Sequence, residues 1–359
     1  MSFRAVVTVC LICVAALSPA CARSWQPTSS SASPGIRQTD APIRLGVDAR
    51  MLSDEPWTYA GSRGHVIRTR NYRIYTTLDD QILRTRTASF LEYALAHYRS
   101  AIVLLPGPPR RMDTYVMASR TQWQTLTRHL MGKQAEMLIK IPRGGFASRG
   151  IGVYYDIGLR DTLAIAAHEG WHQYTQRTFG QTLPVWLEEG LASYMEGHRW
   201  NGTIPEFRPW ANTERFDQLR RAQRAGSLLP LVELLNAQPQ DFLDSSDDAG
   251  LTYYAQVWAL THFLDQGAGE KYNQSLRDLL LDATAGTLSR ALELHLGRAR
   301  ASATLAQRAG TGVFLAYFNT DLEQVAVEYS QFVRLVTATG SREFIVQGKN
   351  PIVRRPQHE

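Results

Sequence analysis

The chain has 359 residues, of which 44% are hydrophobic, so it can bury a sizeable core as one large domain or as two closely packed subdomains. Its formal net charge of +6 comes almost entirely from arginine, and no dense basic run is interleaved with aromatic residues, which argues against a nucleic-acid partner. All three cysteines, Cys10, Cys13 and Cys21, lie near the N-terminus.

Residues 1–22 have the features of an export signal. Arg4 supplies a positive charge, a short apolar run follows it, and Ala-Cys-Ala at 20–22 fits the small-x-small cleavage pattern. Cleavage after this pattern leaves a mature chain with no cysteine, and so with no disulfide, thiolate ligand or cysteine nucleophile. Cleavage before Cys21 with lipid attachment is the second interpretation, although Ser18 stands where bacterial lipoprotein signals usually have leucine. Both predict an exported protein, periplasmic or secreted, with membrane association only through a lipid on Cys21.

The N-terminal half is predicted to be a small α/β layer. Residues 23–44 are rich in Ser, Pro, Thr and Gly and are expected to form a flexible linker to the folded part, which begins at about residue 45 and reaches 158 as a first unit. Strands are expected over 70–77, 113–118 and 151–155, and amphipathic helices over 78–103 and 120–131. The last strand leads directly into the helix that carries the principal motif.

The pattern from residue 159 to residue 345 is helical, and residues 346–359 read as a polar tail. Helices are expected over 212–225, 229–237, 252–266, 272–283, 288–296 and 321–337. No fixed-period similarity is visible, which argues against a helical-repeat array. The predicted fold class is therefore α+β, with a small mixed β-sheet and helices before the motif and a mainly helical subdomain after it.

The principal motif is His-Glu-Gly-Trp-His at 168–172, an H-E-x-x-H pattern. In a helix that begins at Asp161 or Thr162 and ends near residue 177, His168 and His172 project from one face and can share one metal ion. Small or apolar residues on both sides of this helix predict a central, buried position, which a metal site requires. The alternative is a pair of histidines that are satisfied by hydrogen bonds within a core helix.

A second segment, residues 184–196, offers the third ligand that a catalytic zinc site needs. On a helix, Glu189 shares a face with Glu196, whereas Glu188 lies about 100° away, so Glu188 and Glu189 cannot both point at one metal. On this helical phase and on the family pattern described below, we assign Glu189 as the third ligand and expect Glu188 to be solvated or to support a ligand. Gly190 is expected to let this helix approach the motif helix closely.

These two segments together resemble the gluzincin peptidases. Pro-Val-Trp-Leu-Glu-Glu-Gly-Leu-Ala-Ser-Tyr-Met-Glu after an H-E-x-x-H motif is similar to bacterial peptidase-MA-like domains of unknown function, and aminopeptidase N-like enzymes have a comparable Glu-Gly-x-Ala-Ser. The likeness extends weakly, as strand and helix order, over residues 72–264. Sixteen residues separate His172 from Glu189, slightly fewer than in thermolysin-like enzymes. The aminopeptidase signature Gly-Ala-Met-Glu-Asn is absent, so recognition of a free amino terminus is not implied.

The resemblance implies a zincin-like fold and a zinc-dependent peptidase. Its pattern assigns His168, His172 and Glu189 to Zn²⁺. Glu169 is then the general base that takes a proton from the attacking water and returns it to the leaving amine. Gluzincins often stabilise the oxyanion with a tyrosine or histidine from a later helix, and Tyr254 is the candidate because it lies off the apolar stripe of its helix. Simple packing is the alternative for this tyrosine.

The implied substrate is a peptide or protein. In this superfamily substrates usually add as a strand along the sheet edge before the motif helix; residues 151–155 are the candidate edge, with an ordinary internal strand as the alternative. A competing function is a non-catalytic binding protein of the bacterial envelope that retains the zincin scaffold. Zinc as a structural staple would need a fourth ligand, which the sequence does not offer at suitable spacing. The other histidines are predicted to be exposed or packed: His65, His97, His129, His198, His262 and His295.

Overall fold

The computed structural model describes residues 45–141, 144–242, 247–308, 310–318 and 321–352. The predicted export signal with its cysteines, the linker at 23–44 and the end of the tail at 353–359 lie outside the described residues. Within the described part of the chain, no helix combines the length and the apolar character that a bilayer crossing requires.

The N-terminal half contains one mixed sheet of six strands. In chain order they are β1 (Ser53–Tyr59), β2 (Ser62–Arg68), β3 (Tyr72–Thr76), β4 (Met112–Met117), β5 (Gly145–Ser148) and β6 (Ile151–Tyr155). The order across the sheet is β1-β2-β3-β4-β6-β5. Strands β3, β4 and β6 run parallel to one another, and the remaining neighbours are antiparallel. A separate hairpin is formed by β7 (His198–Asn201) and β8 (Ile204–Phe207).

Helices cover the sheet and make up most of the C-terminal half. Those of the first half are α1 (Gln81–Tyr98), α2 (Arg120–Met131) and α3 (Ala135–Leu138), and the two motif segments form α4 (Leu159–Thr178) and α5 (Val185–Met195). The remainder are α6 (Thr213–Ala225), α7 (Leu231–Asn236), α8 (Asp247–Gln266), α9 (Asn273–Ala285), α10 (Leu288–Leu296), α11 (Arg298–Gln307), α12 (Gly310–Phe318), α13 (Leu322–Val336) and α14 (Ser341–Val346). The fold class is α+β, as predicted.

Helix α4 begins earlier than the sequence predicted. Its first residue is Leu159 rather than Asp161 or Thr162. Gly158 precedes it with a φ of 99°, a conformation that glycine adopts without strain. The Thr162 hydroxyl accepts a hydrogen bond from the backbone N–H of Ile157 at 2.9 Å. This side chain therefore secures the turn before the helix instead of capping the helix itself.

Strand β6, which was the candidate edge strand, is internal, so the alternative prediction for residues 151–155 is correct. Strand β6 pairs with β4 on one side and with β5 on the other, so β5 forms the sheet edge. At Gly145 a Cβ atom would lie 2.5 Å from the Cβ of Tyr154 and 2.7 Å from the carbonyl oxygen of Val153. A residue without a side chain is therefore needed for β5 to approach β6 this closely.

The two faces of the sheet pack against different helices. One face, with Ile74 and Tyr154, belongs to a core that continues through α1, α4, α5 and α8, and the other face packs on α2 through Trp123 and Phe146. Trp171 and the other residues of α4 from Ile165 to Thr175 are buried, so this helix is central, as predicted. The motif residues therefore lie in the most enclosed layer of the molecule.

Candidate metal centre

Helices α4 and α5 pack against each other, and each contributes to one group of side chains. His168 and His172 lie one turn apart on α4 and point toward Glu189 on α5. The Nε2 atoms of His168 and His172 are 3.4 and 3.5 Å from Oε2 of Glu189, and the three atoms lie within 4.8 Å of one another. The structure therefore brings together the three residues that the sequence predicted as metal ligands.

These three residues fit a metal ion in burial and in chemistry. The side chains of His168, His172 and Glu189 are 0%, 5% and 10% exposed. Oε2 of Glu189 is buried and has no hydrogen bond from the described residues, since both imidazole nitrogens lie beyond normal hydrogen-bond distance. Such an oxygen is costly to bury unless a cation compensates it. Two imidazoles and a carboxylate form a donor set typical of zinc.

The carboxyl group of Glu189 is in the charge state that a ligand needs. Burial by itself would raise its pKa, but attraction to His172 and His168 outweighs burial and lowers the pKa to about 2. The group is therefore ionised at neutral pH. Because ligands must be deprotonated to bind a metal, this carboxylate requires no proton release before binding.

His168 is supported from behind by Glu196, which sequence reasoning had placed on the same face of α5 as Glu189 without giving it a role. Nδ1 of His168 lies 2.7 Å from Oε1 of Glu196. Arg215 donates to both oxygens of this carboxylate, at 2.7 and 3.2 Å, and Asn212 donates to Oε2 at 2.6 Å. Burial would raise the pKa of Glu196, but Arg215 and His168 together outweigh it and lower the pKa to about 2. The carboxylate fixes the ring with Nε2 toward the ligand group.

His172 has a simpler support. Its Nδ1 atom lies 3.0 Å from Oε1 of Glu188, and the hydroxyl of Thr175 donates to the same oxygen at 2.8 Å. Glu188 is only 4% exposed, so of the two expected roles the supporting one agrees with the structure and the solvated one is wrong. Helix α5 therefore presents one carboxylate to the ligand group and two more to the outer nitrogens of the histidines.

Glu169, the predicted base, lies beside His168 on α4 and is completely buried. Strand β6 packs against α4, and burial first and then the Glu169 carboxyl raise the pKa of Tyr154 on this strand. Tyr154 therefore stays a neutral phenol at neutral pH. The structure shows where Glu169 lies, and its part in chemistry stays a prediction.

Tyr254, the predicted oxyanion donor, lies beside the same histidine. It is 2% exposed on α8, and its ring contacts the ring of His168 edge to face, with 6.0 Å between centroids. The guanidinium carbon of Arg215 lies 5.1 Å from the centre of the Tyr254 ring, within the range of a cation–π contact. The aromatic ring thus has a packing role between these two residues, and the role of its hydroxyl stays a prediction.

The two glycines of the motif segments each lie against a helix other than α4 and α5, and for Gly190 this differs from the expectation. Gly190 does not face α4. A Cβ atom there would collide with the Thr261 hydroxyl and lie 2.7 Å from the carbonyl oxygen of Val257, so Gly190 brings α5 close to α8 instead. On α4, a Cβ atom at Gly170 would lie 2.5 Å from the hydroxyl of Tyr98 on α1. Both glycines therefore set distances between helices around the site.

Sequence reasoning missed Asn212 and Arg215, which complete the support of His168. Both residues lie near the start of α6, which follows the motif segments and the β7–β8 hairpin in the sequence. No local spacing links them to Glu196, since the contact is made between two helices. The available signal was weaker: an arginine within the apolar stripe of an amphipathic helix, where an unpaired charge would be costly.

One comparison with known proteins gives a match. A family model described as a protein of unknown function, DUF1570, matches residues 162–281, from the first turns of α4 into α9. No curated protein and no solved structure matches the chain. The matched range contains the ligand group, Glu169, Arg215 and Tyr254, but it spans less than half of the chain and carries no assigned activity.

Proposed function

We propose that this protein has a zincin-like fold and is a zinc-dependent, gluzincin-like metallopeptidase that hydrolyses peptide bonds. The observation that carries the proposal is the convergence of His168, His172 and Glu189 in a buried site, with their ligand atoms within 4.8 Å of one another. A zinc ion bound there would supply a Lewis acid that lowers the pKa of a coordinated water toward neutrality.

The ligand count favours catalysis over a structural staple. Structural zinc sites are closed by four protein ligands, whereas catalytic sites use three and keep one position open. Among the described residues, no further histidine, cysteine, aspartate or glutamate joins the ligand group. The carboxylates of Glu188 and Glu196 are engaged at the outer nitrogens of the histidines instead.

The remaining roles fall to two side chains next to the ligands. Glu169 accepts the proton of the attacking water and returns it to the leaving amine, a function that needs a carboxylate beside the ligands but not bound with them. Tyr254 is the candidate donor to the oxyanion that forms at the scissile carbonyl. Its contacts with His168 and Arg215 hold the ring beside the site.

The proposed substrate is a peptide or protein. We also propose that the chain is exported and acts in the periplasm or after secretion. Addition of the substrate as a strand is not part of the proposal. All four residues of β5 are buried, and Gln176 already donates a hydrogen bond to the carbonyl oxygen of Ala147 at 3.2 Å. The edge strand is therefore partly covered by the end of α4.

Replacement of Glu169 by glutamine tests this function. Glu169→Gln should retain one equivalent of zinc, since Glu169 is not a ligand, and should lose hydrolysis of a quenched-fluorescent peptide library by about 10²–10⁴-fold, the usual contribution of a general base. Zinc is measured by mass spectrometry. The matched control is Glu136→Gln, the same change at an exposed residue of α3. A Glu169→Gln enzyme as fast as the wild type would disprove the base assignment.

The alternative function is a non-catalytic zincin-scaffold binding protein of the envelope. The complete burial of His168 and Glu169 favours it over a peptidase, which must admit a polypeptide to these residues. Zinc at one equivalent in the wild type, with no turnover across the library, would establish it.

A further inference from the structure

Arg215 is a buried cation that the proposed reaction does not use. It lies on α6 and is 3% exposed. A buried charge is tolerated when it is paired and its hydrogen-bonding capacity is used. Its Nε and Nη2 atoms donate to Glu196, so the edge of the guanidinium holds the carboxylate in one orientation.

The same guanidinium also contacts an aromatic ring. It lies over the ring of Tyr254, with 5.1 Å between the guanidinium carbon and the ring centre. Glu196 and Tyr254 both contact His168, one at Nδ1 and the other at the edge of the ring. The four side chains therefore form a closed circuit of contacts, in which Arg215 is linked to His168 through Glu196 and through Tyr254.

We propose that Arg215 is a positioning residue that sets the orientation of the His168 imidazole and of the Tyr254 ring together. This inference rests on the proposed function in that it assigns zinc to the ligand group. A planar guanidinium can grip a carboxylate at two points and stack on an aromatic ring at the same time, whereas a lysine ammonium offers a single charge on a flexible chain. The geometry of the site therefore requires an arginine at this position, and a positive charge alone does not suffice.

The chain contains a similar arrangement away from the site, although its arginine side chain is 42% exposed and that of Arg215 only 3%. Arg73 on β3 donates to both oxygens of Asp113, at 2.7 Å each, and its guanidinium lies 5.5 Å from the centre of the Tyr75 ring. This trio also combines an arginine, a carboxylate and a tyrosine, but it supports no histidine of the ligand group. The substitution Arg73→Lys is therefore a control for the general effects of the same chemical change.

The experiment compares the wild type, Arg215→Lys and Arg73→Lys as folded, purified proteins, each loaded with zinc or with cobalt as a spectroscopic substitute. Arg215→Lys should bind zinc 10–100-fold more weakly in competition with a chelator, the usual effect of losing an outer support. It should also shift the visible absorption bands of bound Co²⁺. Arg73→Lys should change neither. Equal zinc affinity and equal Co²⁺ bands in Arg215→Lys and the wild type would overturn the proposal.

Tyr254→Leu provides a second route if Arg215→Lys does not fold. It leaves the pair of Arg215 and Glu196 in place but removes the ring from the circuit, and it should also shift the Co²⁺ bands. Unchanged bands in Tyr254→Leu would contradict the coupling. The proposed peptidase activity fails separately: a wild type that binds zinc and cleaves no peptide disproves the activity and leaves the comparison of affinities valid. A wild type that binds no zinc overturns both.

Discussion

Two regions of the molecule enclose a histidine completely, and they do so by opposite means. His168 and His262 are both 0% exposed. His262 lies in an aromatic pocket, with ring centroids 3.7 Å from Trp210, 4.6 Å from Tyr194 and 4.8 Å from Trp258. His168 instead lies in a group of carboxylates and a second imidazole.

The difference shows what turns a buried histidine into a ligand. Burial lowers the pKa of His262 well below its ordinary value, and the backbone of Pro209 opposes this effect only in part, so the ring is neutral. At His168 a carboxylate, Glu196, orients Nδ1, and Nε2 faces Glu189. His168 therefore differs from His262 in having a carboxylate at each ring nitrogen. This arrangement, rather than burial, distinguishes the metal centre from the aromatic pocket.

The largest effect should come from breaking the charged support of His168. Glu196→Ala leaves Arg215 buried without its carboxylate, which typically costs about 3–5 kcal/mol of unfolding free energy. Glu188→Ala removes the acceptor of His172 and Thr175 but leaves no buried guanidinium without its carboxylate, so it should cost about 1–3 kcal/mol. Both values are measured by urea unfolding in the presence of a chelator, so that zinc does not contribute.

A second substitution shows whether the loss of stability in Glu196→Ala comes from the unpaired charge of Arg215 or from lost packing. In Glu196→Ala the unpaired cation is the cause of the loss, so adding Arg215→Met should restore part of the stability. If Glu188→Ala is as costly as Glu196→Ala, or if the double variant is no more stable than Glu196→Ala alone, the charged pair does not distinguish the two histidines.

An intermediate effect is expected on zinc affinity. Here the loss of the support of His168 and the loss of the support of His172 should have similar effects. Glu188→Gln and Glu196→Gln should each weaken zinc binding by about 10–100-fold, because each orients one histidine. Glu92→Gln is a control at a buried glutamate that accepts three hydrogen bonds from Thr69 and Asn71 in the turn before β3. It should lower stability without changing zinc affinity. Competition with a chromophoric chelator measures all four proteins, and a loss confined to one glutamate would show that only one support matters.

The parts of the fold that follow a strong period were predicted well from the sequence. Helix α2 over 120–131 and strand β6 over 151–155 have the predicted bounds. Strand β5 was missed because its four residues are all buried and show no alternation. The β7–β8 hairpin was missed as well, since its strands are only four residues long.

The ligand group was predictable because helix geometry fixes it. A spacing of four residues places His168 and His172 on one face of any helix. The same helix geometry makes the adjacent residues Glu188 and Glu189 point in different directions. The contacts of Arg215 were not predictable, since they join α6 to α5 and α8 across the fold. Gly190 was assigned to the wrong neighbour for a similar reason: a glycine indicates a close approach but does not say which helix approaches.

The smallest effect is expected in the aromatic pocket, and it concerns pH. In the folded state the pKa of His262 lies well below the ordinary value of 6.5, at which the unfolded chain titrates. Below pH 6.5 the unfolded state binds a proton that the folded state does not, so stability is complete above this pH and falls as the pH decreases. His262→Phe should remove this contribution, which is at most about 1.4 kcal/mol per pH unit.

Urea unfolding at pH 7, 6 and 5 measures the slope, which matters more than the absolute stability because the larger ring of His262→Phe costs some packing energy. Tyr194, the titratable side chain against His262, does not contribute, since burial raises its pKa well above 10. His295→Phe is the matched control at an exposed histidine of α10 and should keep the wild-type slope. A wild-type slope in His262→Phe would mean that the pocket does not hold its histidine neutral, and the contrast with the metal centre would then lose its electrostatic basis.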